Sequence, residues 1–315
     1  MSAYSDLMVF QKDTEALSSV AGRLGWDQET IMPEGAAAQR GEELSAMETV
    51  LHARRTDPRV GDWIAAIDEG GLDAVQAANL RHIKRSYARN TKVPAALAAE
   101  IAKVTSMSQG IWAEARANDD FAHFAPTFEQ VVALKREEAS ALADGGDLYD
   151  AMLQDYEPGS SAAELSAMFG ALRPRLTALR DKVLGADQPK GVSGTFDEAA
   201  QMALTHEVAK SFGYDFNRGR IDKAVHPFSS GSGTDSRITT RTSEDDPFNC
   251  LYSTIHEVGH ACYELGIDDA HLFTPLGAGV SMGVHESQSR IYENQLGRSR
   301  AYTEYLYGKM RDSFG

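Results

Sequence analysis

The stretch from Asp246 to Gly266 constrains this chain more than any other, because it reads as one helix with both ends marked. Asp246 suits an N-cap, Pro247 the first helical position, and Gly266 a left-handed residue just past the end. Leu251, Ile255, Val258, Cys262 and Leu265 recur at three- and four-residue steps, which gives the helix an apolar stripe to bury. Inside it lies His256-Glu257-Val258-Gly259-His260. Histidines four apart project from one helix face, so their imidazole nitrogens can converge on one metal ion. Glu257 lies beside them, placed to take a proton from water that the metal activates.

The plain reading of such a pentapeptide is chance on an ordinary helix. Two features favour a metal: the caps of the helix, and a third donor downstream. Glu286, in Val284-His285-Glu286-Ser287-Gln288, completes a two-His, one-Glu set, and a catalytic zinc takes three protein ligands with one position left open.

A length of 315 residues sets a prior of one or two domains. The net charge of -15 argues against nucleic-acid and anionic-membrane partners, both of which need a basic surface. No apolar run reaches the length of a membrane span, and the N-terminus carries no secretory pattern. The two cysteines, Cys250 and Cys262, lie on one predicted helix ~18 Å apart, too far for a disulfide, so a reduced, cytoplasmic protein is expected.

Residues 1–220 read as successive helices, beginning with an amphipathic pattern over Met1 to Leu24. Thr127 with Gln130, Ser161 with Glu164, and Thr195 with Glu198 are spaced as capping boxes, and Gly213 closes the last of these helices. Breaks are expected at Asp68–Gly71, Asp144–Asp147 and Gly185–Gly194. Leu24 to Pro33 reads as a passage from helix to turn, with Trp26 in the core and Asp27 and Glu29 solvated or capping. After Arg220 the pattern changes. His226-Pro227-Phe228 leads into a flexible Ser/Gly segment, and Thr234 to Thr242 is the strongest strand candidate. Alternation places Asp235, Arg237, Thr239 and Arg241 on one of its faces, either as a solvent-facing strand or as an edge able to pair with an extended peptide.

With these residues assembled, the chain resembles the thermostable, Taq-type metallocarboxypeptidases of peptidase family M32. The resemblance runs along the whole chain: Trp26-Asp27-Gln28-Glu29-Thr30 with Met32-Pro33, His226-Pro227-Phe228, Asp235-Ser236-Arg237-Ile238-Thr239, His256 to His260, and His285-Glu286-Ser287-Gln288. It implies a mainly helical fold with a deep substrate groove, a small sheet beside the metal helix, and a homodimer. It also implies a zinc- or cobalt-dependent enzyme of broad specificity that cuts single residues from peptide C-termini. On that carry-over His256, His260 and Glu286 hold the metal and Glu257 is the general base. Members of the family continue beyond residue 315, with an arginine-containing motif for the substrate's terminal carboxylate and a later Gln/His motif. The expectation is therefore one catalytic domain, 1–315, lacking its C-terminal part, with a helical region 1–220 and a strand-plus-metal region 221–315.

Substrate binding within the chain falls to weaker candidates. Exopeptidase specificity needs a cation for the free carboxylate, which Arg237 or Arg241 would supply, and an oxyanion needs a donor, which His226 or His285 would supply. Against these stand plainer roles: Arg237 salt-bridging Asp235, and the histidines packing behind the ligands. Two other functions compete with the carboxypeptidase, namely a catalytically incomplete metal-binding fragment and an endo-acting zinc oligopeptidase.

Overall fold

The computed structural model describes residues 2–315, so Met1 lies outside the described residues. Twelve α-helices carry the fold: α1 (Ala3–Thr30), α2 (Ala37–Arg55), α3 (Pro58–Ala66), α4 (Ala74–Asn90), α5 (Ala95–Ala117), α6 (Phe121–Ala143), α7 (Leu148–Leu153), α8 (Ala162–Leu184), α9 (Glu198–Ser211), α10 (Pro247–Leu265), α11 (Met282–Arg290) and α12 (Arg300–Phe314). A three-stranded sheet lies between α9 and α10, formed by β1 (Ile221–Lys223), β2 (Ser229–Ser232) and β3 (Asp235–Thr240) in the order β1-β3-β2. The mainly helical expectation holds, as do the three breaks at Asp68–Gly71, Asp144–Asp147 and Gly185–Gly194.

Local chemistry explains where the helices start, and corrects two of the expected caps. Ser161 and Glu164 do form a capping box. Thr127, by contrast, lies inside α6, whose N-cap is Asp120 accepting from the His123 N–H. An aspartate caps at least as well as threonine and sits seven residues earlier, so the helix begins there and carries Pro126 in its interior. Likewise Asp197, accepting from Ala200, caps α9 in place of Thr195. Gly213 closes α9 as expected, at φ +91°.

The first helix continues through Trp26 to Thr30 and turns at Ile31 and Met32, so the passage from helix to turn falls within Leu24 to Pro33 as expected. Trp26 is buried, as the sequence indicates. Asp27 and Glu29 are neither capping nor simply solvated. Asp27 accepts from the nearly buried Arg40 at 2.6 Å and Glu29 from Gln109 at 2.6 Å, so both tie α1 to neighbouring helices. Burial raises the Glu29 carboxyl above its ordinary range, against the opposing pull of Gln109.

The sheet departs most from expectation. β3 is its central strand, parallel to β1 (Ile221 opposite Ile238) and antiparallel to β2 (Ser230 opposite Arg237), so neither of its edges is free for a peptide. The Ser/Gly segment that reads as flexible is β2, and Gly231, at φ +97° against the Asp235 carbonyl, leaves no room there for a side chain. Nor does β3 face solvent. Ser236, Ile238, Thr239 and Thr240 are fully buried. Ile238 packs with Val258 and Ala261 of α10, and the Thr240 hydroxyl donates to the Cys250 carbonyl at 3.1 Å. On the other side α10 meets Leu204 and Val208 of α9 and Leu306 of α12 through Leu251 and Ile255. The metal-motif helix is thus the buried centre of the C-terminal half, which holds its side chains in fixed directions. A separate core of Leu7, Val60, Leu80 and Ile83 joins α1, α3 and α4.

Candidate metal centre

Helix α10 starts where the sequence marks it, with Asp246 accepting from the N–H groups of Phe248 and Asn249 and Pro247 at the first position. Its end differs. Gly266 is right-handed, at φ -85°, because its N–H bonds the Cys262 and Tyr263 carbonyls and the last turn simply tightens. The predicted stripe faces inward, with Leu251, Ile255 and Val258 fully buried. That burial leaves His256 and His260, one turn apart, partly exposed toward α11.

Helix α11 delivers Glu286 to the same point. His256 Nε2 and His260 Nε2 are 3.2 Å apart, and Glu286 Oε2 lies 3.4 Å from the first and 3.3 Å from the second. An ion holding such donors at 2.0–2.1 Å in tetrahedral geometry separates them by ~3.3 Å, so the three residues fit a zinc-sized ion, and zinc accepts this ligand set. Among the described residues they form the group of His, Cys, Asp and Glu side chains suited to a metal.

The close approach of the two helices depends on Gly259, the fourth residue of the motif, whose added Cβ would lie 2.6 Å from Ser289 Cα. After Arg290 the chain widens into a π-helical segment, Ile291–Gly297, which presents Glu293 to the other side of His256. Glu293 Oε2 is 3.0 Å from His256 Nδ1, while Arg290 and Arg298 donate to the same carboxylate at 3.1 and 2.9 Å. With Nδ1–H on that carboxylate, Nε2 of His256 turns a lone pair to Glu286 and His260. Behind His260 stands His285, Nδ1 to Nδ1, and His285 Nε2 is 2.8 Å from Glu264 Oε1.

Charge states suit a metal site. Burial, reinforced by His285 and His256, lowers His260 to about 4 and keeps it neutral. Burial pushes Glu286 up, but His256, Arg290 and Ser289 outweigh it and leave the carboxyl below its ordinary range. Glu257 goes the other way, raised to about 8 by burial and by the nearby carboxylates Glu286 and Glu293. Neutral imidazoles and an ionised Glu286 are the forms that bind metal, and a cation placed among the three carboxylates reverses the repulsion that Glu257 feels.

Glu257 and His256 lie where two open cavities of about 910 and 960 Å³ meet, and His226 and Pro227 line both. Arg241 lines the first cavity, together with Arg116, Arg290 and Arg298. Of the four substrate-binding candidates, His226 shares both cavities with His256 and Glu257, and Arg241 shares the first. Asp235 and Arg237 line a different cavity, against α1. Arg237 grips Asp235 through two bonds of 2.8 and 2.9 Å and lies over the Trp26 ring, and Arg23 reaches Asp235 at 3.1 Å.

Sequence reasoning passed over Glu264, Glu293 and Arg116. Glu264 carries a legible signal, standing four residues after His260 on the same helix face. Glu293 does not, because the widened turn that aims it has no signature here.

The family profile of the Carboxypeptidase Taq (M32) metallopeptidases matches residues 6–315. The chain belongs to this family. It is 39% identical over 332 aligned residues to "Thermostable carboxypeptidase 1" of Thermus thermophilus, covering 99% of this chain and 64% of that protein. To "Carboxypeptidase 1" of Bacillus subtilis it is 32% identical over 304 residues, covering 94% and 60%. The crystal structure of an M32 carboxypeptidase from Deinococcus radiodurans superposes with a TM-score of 0.87 at 38% identity, over 99% of this chain and 64% of that one. The chain thus spans 64% and 60% of the lengths of the two curated M32 relatives named here.

Proposed function

We propose that this chain carries the metal-binding and proton-transfer machinery of a metallocarboxypeptidase that releases C-terminal residues from peptides with broad specificity. The observation that carries the proposal is the near-equilateral triangle of His256 Nε2, His260 Nε2 and Glu286 Oε2, with the buried Glu257 beside it at the junction of two cavities. A zinc ion bound there would supply Lewis-acid polarisation of the scissile carbonyl and lower the pKa of water. Cobalt suits the same donors. Glu257 accepts the proton of the attacking water and returns it to the leaving amine. His226, on the wall of both cavities, would donate to the developing oxyanion, and Arg241, on the wall of the first, would bind the free carboxylate. Asp235 and Arg237 serve the site indirectly, by fixing β3 against Trp26.

The named relatives are carboxypeptidases, which supports peptide substrates and exo-cleavage. A homodimer and a cytoplasmic location belong to the same reading, as does one catalytic domain across 1–315. The two unpaired cysteines accord with a reducing compartment. A second reading is that these residues bind a metal without turning over a peptide. Zinc-dependent release of C-terminal residues by residues 1–315, on free and C-terminally blocked peptides, separates the readings. Release from free peptides only, lost in Glu257→Gln, supports the carboxypeptidase. Cleavage of blocked peptides points to an endopeptidase, and zinc binding with no cleavage points to the second reading.

A further inference from the structure

The two histidines of the metal triangle are held from behind in different ways. His256 has a carboxylate at its Nδ1, namely Glu293 at 3.0 Å. His260 has an imidazole, with its Nδ1 facing Nδ1 of His285 and the His285 Nε2 2.8 Å from Glu264 Oε1. Glu264 is 7% exposed; its Oε1 also receives the Gly279 N–H at 3.2 Å, and its Oε2 is buried without a partner. Keeping a half-satisfied carboxylate buried is costly.

We propose that Glu264 and His285 act as a pair of positioning residues that set the tautomer of His260, an inference that rests on the metal-centre reading above. The chemistry runs in one direction. A carboxylate only accepts, so His285 Nε2 carries the proton and donates it to Glu264. In neutral His285 the other nitrogen, Nδ1, is then an acceptor. It accepts from His260 Nδ1–H, which leaves the lone pair of His260 on Nε2, the atom facing His256 Nε2 and Glu286 Oε2. Reverse either bond and His260 presents a proton to the metal.

The surroundings hold the pair in register. Tyr263 packs edge-on to His285, with ring centroids 5.0 Å apart. At Gly279 an added Cβ would lie 2.7 Å from His285 Cδ2 and 3.1 Å from Glu264 Oε1, so the loop backbone closes on both residues. Since His285 and Glu286 are consecutive, α11 supplies one metal ligand and the support of another, and the two cannot move independently.

The test is zinc affinity by chelator competition, together with histidine nitrogen NMR on the metal-free protein at neutral pH. Loss of zinc binding in His256→Ala and Glu286→Gln establishes the metal reading; unchanged binding there sinks that reading, whatever the pair does. Given the first result, His285→Phe and Glu264→Ala are each expected to weaken zinc about 10- to 100-fold. Glu264→Gln, which keeps an amide oxygen for His285, is expected to stay within about threefold of the unsubstituted protein, and the double variant to lose no more than His285→Phe alone. Additive losses, or equal losses in Glu264→Gln and Glu264→Ala, would overturn the pair as a relay. If the substituted proteins do not fold, the tautomer of His260 in the unsubstituted protein decides: Nδ1–H upholds the proposal and Nε2–H overturns it.

Discussion

Gly259 touches Ser289 so closely that a methyl group on the first would stand 2.6 Å from the Cα of the second. This contact sets the distance between α10 and α11 and hence the reach of Glu286 to the histidines. Gly259→Ala is therefore expected to destabilise the protein by about 1–3 kcal/mol, the usual cost of overpacking, and to weaken zinc binding as well. Thermal melts in chelator and chelator competition measure the two effects separately. A loss of stability with zinc affinity intact would show that the helices can part without disturbing the triangle.

Metal removal gives a second prediction. A ligand that binds only the folded state stabilises it by RT ln(1 + [L]/Kd), about 2.7 kcal/mol at a hundredfold excess over Kd. Zinc should raise the melting temperature of the unsubstituted chain, and chelator should remove that gain. In His256→Ala the curves with and without zinc should coincide. A persistent zinc effect in that variant would place the ion elsewhere.

The Asp235–Arg237 pair predicts an acid-side pH dependence. The bidentate Arg237 bond holds the Asp235 carboxyl below its ordinary value near 3.8, against the opposing effect of burial and with further help from Arg23. A depressed folded-state pKa contributes stability that is present above the unfolded value and lost as pH falls through the folded one. The stability difference between the unsubstituted protein and Asp235→Asn should thus be largest near neutrality and shrink below pH ~4. Denaturant midpoints across that range measure it, and a constant difference would mean the charge is not what holds the strand.

Helix α8 offers the contrary case. It contributes no buried residue to the fold, and Met168, Leu172, Leu176, Leu179 and Val183 are 42–57% exposed. Leu176→Gln should change stability by no more than about 0.5 kcal/mol, as expected for an exposed site. A loss of 2 kcal/mol or more, read from the denaturant midpoint, would mean that this face is covered in solution.

How much of this was legible differs between the candidate ligands and the residues behind them. His256, Glu257 and His260 declare themselves because a ligand pair on one helix needs only one spacing, and α10 is capped by local chemistry at Asp246 and Pro247. Glu286 could be matched through a short sequence separation. The sheet misled for a physical reason. Thr-rich β3 looks solvent-facing, yet its threonine hydroxyls are satisfied internally, Thr239 by Phe228 and Thr240 by Cys250 and Thr254. Periodicity cannot distinguish a hydroxyl that bonds water from one that bonds a neighbouring element. The caps at Thr127 and Thr195 failed for a similar reason, since Asp120 and Asp197 were competing caps and the choice between them depends on where the helix packs.

The nearness in sequence of the three candidate ligands has a consequence for the unfolded chain. An ion bridging His260 to Glu286 closes a loop confined to α10, α11 and the short connection between them, and entropy penalises short loops least. None of the eight helices preceding residue 198 supplies a ligand. Metal capture can therefore precede the ordering of the N-terminal half, with the ion acting as a local clasp around which the later-packing helices assemble.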